Sequence, residues 1–248
     1  MFKPNNETAV HEKSPSQPDR NHETCMPITL PTSPRGCRKI SLRSRFSVRG
    51  HFVARLKNGT TICCTGFESN LEWNFAAITL TRNDVADLIE QPFKVAFKDK
   101  EGRTRHHTFD YLVILTSGRR IAVAVKRAQK ARSSKLVEDL EMIATQLPPE
   151  LADGVSLFTD EHFEQWEAWN AHHFHLCNKT IDERADVAVL DQVRGVVGSI
   201  SIGDLVRLTG LGGRAYQAIV RAIFSNVLVQ RTKGRIGPAT LVSPGTIQ

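Results

Sequence analysis

No two of the five cysteines stand at Cys-x-x-Cys spacing; they fall at 25, 37, 63, 64 and 177, and the adjacent Cys63 and Cys64 cannot easily bridge each other. That pattern argues against a disulfide scaffold and for reduced thiols. No apolar run is long enough to span a bilayer, and the N-terminal residues hold no apolar signal-peptide core. The expectation is a soluble, cytoplasmic protein with no membrane partner. A glycine-rich phosphate loop is also missing, because GLGGRA at 210–215 follows a helical pattern rather than a strand. No Ser–His–Asp arrangement can be argued. His172, His173, His175 and Cys177 lack a second ligand pair at finger-like spacing, which reads as an exposed helix end rather than a zinc site.

Acidic residues are absent between 35 and 57, where Arg35, Arg38, Lys39, Arg43, Arg45, Arg49, Arg55 and Lys57 accumulate. The whole chain of 248 residues carries a formal charge of +7. A polyanion such as nucleic acid is the partner this balance suggests, although a basic run is usually only a solvated arm. Residues 1–34, rich in Pro, Asn, Ser and Thr, cannot bury enough apolar surface to offset chain entropy and read as a disordered tail.

What remains is patterned. Residues 51–66 alternate like a hairpin with Asn58-Gly59 as its turn, and Phe46, Phe52 and Phe67 read as core anchors. Leu71, Phe75, Ile78 and Thr79 share one face of a helix that also carries Glu72. Short strands are expected at Val85–Glu90 and at 93–98, with a turn at 100–102. Two adjacent strands follow, 108–115 and 120–127, joined at Ser117-Gly118. Residues 129–147 predict one amphipathic helix with Leu136, Leu140 and Ile143 inward, ended by Pro148-Pro149. A further strand at 154–158 and a helix through Trp166 and Trp169 complete an α/β domain over 35–178. Three helical segments and two short strands around Lys233-Gly234 fill 179–248, a winged-helix-like pattern. Arg214, Arg221, Arg231, Lys233 and Arg235 suit that module to duplex binding, or else form the solvated face of a protein-binding unit.

Chemistry concentrates between 72 and 126. An acid on a helix (Glu72), an acid near a strand start (Asp110) and a lysine at the next strand's end (Lys126) can converge on one metal-bound water. Glu68, one turn earlier, is a possible substitute for Glu72, and His106-His107 read as a solvated strand start. Arg43, Arg45 and Arg49, together with Arg119, Arg120, Arg127, Lys130 and Arg132, are expected to form a phosphate-binding track past Asp110.

SNLE on a helix, then LIEQPF, TFDYLV, AVK and FTD in that order, then the winged-helix-like tail, resemble the TnsA family over about residues 40–245. These are endonuclease subunits of heteromeric, TnsA/TnsB-like, cut-and-paste DNA transposases. The resemblance implies a restriction-endonuclease-like mixed sheet flanked by helices, followed by the small C-terminal domain. It implies hydrolysis of one strand at transposon ends with Mg²⁺ or Mn²⁺, beside an RNase H-like transposase subunit and a regulatory AAA+ ATPase, in the bacterial cytoplasm at the nucleoid. Glu72 and Asp110 would be metal carboxylates, the Val125 carbonyl a third oxygen, and Lys126 the residue that positions the attacking water. The chain departs from the pattern at Ala124, where such nucleases carry an acid or amide. A weakened enzyme, or an inactive DNA- and protein-binding subunit of the same complex, is the alternative. Changing Ala124 to Gln or Glu should then improve metal binding.

Overall fold

The computed structural model describes residues 30–41, 44–45, 47–56 and 61–245. The expected tail over 1–29, Arg43, Phe46, Lys57 and the Asn58-Gly59 turn lie outside these residues. The described chain is a mixed α/β protein with seven helices and several sheets. It opens with an antiparallel pair, β1 (Gly50–Arg55) and β2 (Ile62–Phe67), that leads into helix α1 (Asn70–Thr79). Then come β3 (Val85–Glu90), the hairpin β4 (Lys94–Lys98) and β5 (Thr104–Thr108), and the strands β6 (Tyr111–Leu115) and β7 (Arg120–Val125). Helices α2 (Ala128–Ser133) and α3 (Leu136–Gln146), strand β8 (Gly154–Phe158) and helix α4 (Gln165–Cys177) follow. The last part holds α5 (Glu183–Arg194), β9 (Ile200–Ser201), α6 (Ile202–Thr209), α7 (Gly213–Phe224), β10 (Leu228–Gln230) and β11 (Leu241–Pro244).

The central sheet runs β3-β6-β7-β8, antiparallel except for the parallel β7–β8 pair. Alternation along β6 and β7 sends side chains to two cores. Tyr111, Val113, Val123 and Val125 pack with Phe75, Ala76 and Leu80 of α1. Leu112, Ala122 and Ala124 pack with Leu140 and Ile143 of α3 and with Val95 and Phe97 of the β4–β5 hairpin.

Two sequence expectations are corrected here. The single helix expected over 129–147 is two, because Ser134 takes an extended conformation (φ −114°, ψ 164°) that no helix continues through. The strand expected over 108–115 breaks at Phe109-Asp110, so Asp110 sits between β5 and β6 rather than within a strand.

A third core joins Val189 and Val193 of α5, Ile202 and Leu205 of α6, Ile219 and Val220 of α7, Leu228 and Val242. The strands β10-β11-β9 form its sheet. Phe174 and Cys177, at the end of α4, belong to this core too. The other side of α4 meets α1: His172 Nε2 lies 2.9 Å from Asn74 Oδ1, and His175 Nε2 lies 2.9 Å from the Ala77 carbonyl. The expected exposed helix end is therefore corrected. His175 and Cys177 are buried, because the helix is sandwiched between two cores.

Candidate active site

Topology gathers the candidate residues at one end of the central sheet. Because β6 and β7 are antiparallel neighbours, the start of β6 lies beside the end of β7, which puts Asp110 next to Val125 and Lys126. The antiparallel β3 ends there as well, at Glu90 opposite Tyr111, and the parallel β8 ends there at Phe158. Helix α1 brings its first turn, with Glu72, to the same place: the Tyr111 hydroxyl reaches the Gly66 carbonyl at 2.9 Å and the Glu72 carbonyl at 3.4 Å.

Asp110 explains the break that holds it. Its amide donates to the Val123 carbonyl at 3.0 Å, while its Oδ2 accepts the Val125 amide at 2.6 Å, where a ladder carbonyl would otherwise sit. Burial pushes the Asp110 carboxyl up to about 7; the Val125 amide opposes this, the Glu72 charge adds to it, and the Lys126 charge opposes it. The two acids and the lysine are thus within electrostatic reach of one another.

Glu72 is held by a capping box that the spacing Ser69-x-x-Glu72 encodes. Ser69 Oγ accepts the Glu72 amide at 3.2 Å and donates to Glu72 Oε1 at 2.8 Å, while Glu72 Oε2 accepts the Glu68 amide at 2.8 Å. Burial raises the Glu72 carboxyl as well, against these hydrogen bonds. The box fixes the carboxylate in one rotamer, and each oxygen keeps a lone pair for a cation.

A cleft of about 590 Å³ opens here, lined by Ser47, Val48, Ser69, Glu72, Val125, Lys126, Arg127 and Lys130 among others. Lys126, Arg127 and Lys130 are exposed. The expected phosphate track is only partly assembled around them. Arg119 and Arg120 stand at the start of β7, on the order of 20 Å from Lys126 at ~3.3 Å per residue. Arg120 is moreover spent on Asp153 and on the Pro149 and Glu150 carbonyls. Arg132 pairs with Glu161. Arg45 is exposed, and Arg49 lies 3.6 Å from Glu68 while its Nε reaches Ser47 Oγ at 3.2 Å. A continuous track from Arg119 to the arm is therefore not present; the cations at the site are Lys126, Arg127 and Lys130.

The basic arm behaves differently from a solvated one. Arg35 forks onto Asp87, the Arg35 and Gly36 amides donate to Glu90 Oε1 at 2.7 and 3.0 Å, and Arg38 forks onto Glu68. Its cations find acids on the folded domain that were distant in sequence. Sequence reasoning also passed over Gln91, which is 3% exposed and binds the backbone of Asp110. The motif LIEQPF contains it, but nothing in the sequence gave it a partner. His107, expected to be solvated, is half-buried against Phe109, and burial lowers its pKa.

In the C-terminal part the cations of the third helix are committed inside the fold. Arg214 pairs with Asp182, and Arg221, 8% exposed, holds Asp186 and the Cys177 carbonyl. Lys233 and Arg235 lie over the rings of Trp166 and Trp169, at 5.8 and 5.4 Å from their centroids. Satisfied cations of this kind do not make a duplex-reading face.

No protein-family model matches the chain, and no curated protein matches it either. Among the described residues no three or more His, Cys, Asp and Glu side chains form a metal-holding group. The oxygens on offer at the cleft are the Glu72 and Asp110 carboxylates and the Val125 carbonyl. They are hard ligands of the kind Mg²⁺ or Mn²⁺ accepts, and few enough that water and substrate would have to complete an octahedron.

Proposed function

We propose that this chain is a metal-dependent DNA endonuclease subunit of a cut-and-paste transposase, of the TnsA type, hydrolysing one strand at transposon ends. The observation that carries the reading is the meeting of Glu72, Asp110 and Lys126 at one end of the central strands, beside a cleft lined by Lys126, Arg127 and Lys130. The mixed sheet with α1 on one face and α3 on the other supports a restriction-endonuclease-like core. Three helices with a small sheet support a winged-helix-like C-terminal domain. Its committed cations favour a role in docking to the transposase or the regulatory ATPase over duplex reading.

A bound divalent cation would supply Lewis acidity and a more acidic water. Glu72, Asp110 and the Val125 carbonyl would hold it. The capping box keeps the Glu72 carboxylate aimed, and the Val125 amide does the same for Asp110. The Lys126 ammonium orients the attacking water and offsets charge that builds on the phosphate. Arg127 and Lys130 bind flanking phosphates.

A second reading, an inactive subunit that keeps the fold, is favoured by one observation. Ala124 is 2% exposed and packed in the α3-side core, so it contributes no ligand and leaves little room for one. Strand mapping of transposon-end DNA incubated with this protein, its transposase and Mg²⁺ or Mn²⁺ separates the two. Cleavage of the strand the transposase leaves intact is expected, and Lys126→Ala should reduce it by at least about 100-fold. Uncut DNA under both metals supports the inactive reading instead.

A further inference from the structure

Gln91 carries two local costs. Its φ is +38°, left-handed for a residue that is not glycine and that stands before Pro92, where the extended region is strongly preferred. Its side chain is buried, yet Oε1 has no hydrogen-bond partner. Each feature disfavours the fold by roughly 1–3 kcal/mol, and outliers of this kind persist where surrounding structure imposes them.

What the residue does with its remaining groups accounts for them. The Gln91 amide donates to the Asp110 carbonyl at 2.7 Å, and its own carbonyl accepts the Cys37 amide at 2.8 Å. Its Nε2 donates to Glu68 Oε2 at 3.2 Å. The Glu68 amide in turn donates to Glu72 Oε2 at 2.8 Å. Hydrogen bonds therefore run from Asp110 through Gln91 and Glu68 to Glu72, joining the start of β6 to the first turn of α1 by way of the end of β3. Arg38 and Arg49, from the N-terminal arm, converge on the Glu68 carboxylate and hold the middle of that chain. The reverse orientation of the amide would set its oxygen against the Glu68 carboxylate, so the donor must face that way.

We propose that Gln91 and Glu68 are positioning residues that set the separation of Glu72 and Asp110, and that the basic arm serves this bridge rather than DNA. The proposal rests on the metal-site reading above. Partners that orient metal ligands cost 10–100-fold in affinity when removed, and the same range is expected here.

The test is calorimetric titration of the full-length chain with Mn²⁺ alone, alongside thermal melts. Gln91→Asn is the informative variant: Asn adopts positive φ more readily, so folding is preserved or improved, but one methylene less takes the amide out of reach of Glu68. Expected is a loss of Mn²⁺ affinity of about 10-fold or more with the melting temperature held or raised. Gln91→Leu should show the same loss, and a merely structural role would move the melting temperature and leave the affinity alone. Wild-type affinity in both variants overturns the bridge and leaves the metal site standing. A wild-type chain that takes up no Mn²⁺ removes the metal site and the bridge together.

Discussion

A carboxyl that stays partly protonated near neutrality is the most unusual single group here. Asp110 sits at about 7 against an ordinary 3.8, chiefly through burial. Its folded-state value is raised, so its contribution to stability is complete below about pH 4 and is lost as pH rises through 7. Asp110→Asn keeps an oxygen for the Val125 amide and never ionises. It should therefore be more stable than the wild type at pH 8, by about 1–3 kcal/mol after allowance for solvent at the half-buried site. Urea melts at pH 5 and pH 8 measure this: the advantage of the variant should widen with pH, and a constant gap would mean that Asp110 is not desolvated. A site that disfavours its own carboxylate is one that a cation can reward.

At the scale of the element, β7 decides how much chemistry the sheet end can hold. Its inward residues alternate between the α1 side and the α3 side, and Ala124 faces the latter. Ala124→Glu restores an oxygen two residues before Lys126, but pushes a longer side chain toward a filled core. Two opposite effects are expected from that substitution. Mn²⁺ affinity should rise, through the added hard ligand, while the melting temperature falls with a cost of about 1–3 kcal/mol from overpacking. Titration and melting of the same preparation read both. An unchanged affinity would show that position 124 does not look into the cleft.

Over the whole molecule, α4 ties the two parts together. One face meets α1 through His172 and His175, and its end supplies Phe174 and Cys177 to the C-terminal core. Asn170 also holds the loop before β11, donating to the Gly234 carbonyl at 3.0 Å and accepting the Ile236 amide at 2.9 Å. Removal of residues 180–248 would strip the cover from Phe174, so the truncated chain should be less stable than the full one. Phe174→Ala, which deletes a buried ring stacked on Phe224, should cost about 3–5 kcal/mol and lower one cooperative transition. Two separate transitions in calorimetry, with only one displaced by the variant, would argue for independent units.

Local pattern was enough for most elements. Period-two and period-3.6 apolar spacing located β3, β6, β7, β8, α1 and the three C-terminal helices, because each buries one face and the face is written into the residues. The acids and the lysine were visible as residue types on neighbouring elements. What the sequence could not contain was pairing at a distance. Arg120 and Lys126 sit six positions apart and look like one basic segment, but an extended strand carries them to opposite ends of the sheet. Arg38 reads as a phosphate ligand until Glu68 is seen to hold it, and Arg221 as a DNA contact until Asp186 does the same. Gln91 was an ordinary residue in a motif, and only the fold turned its backbone left-handed and placed it between Asp110 and Glu68. Short-range preferences are properties of a segment, whereas the partner of a charged or amide side chain is fixed only when β3, β6 and α1 close on one another.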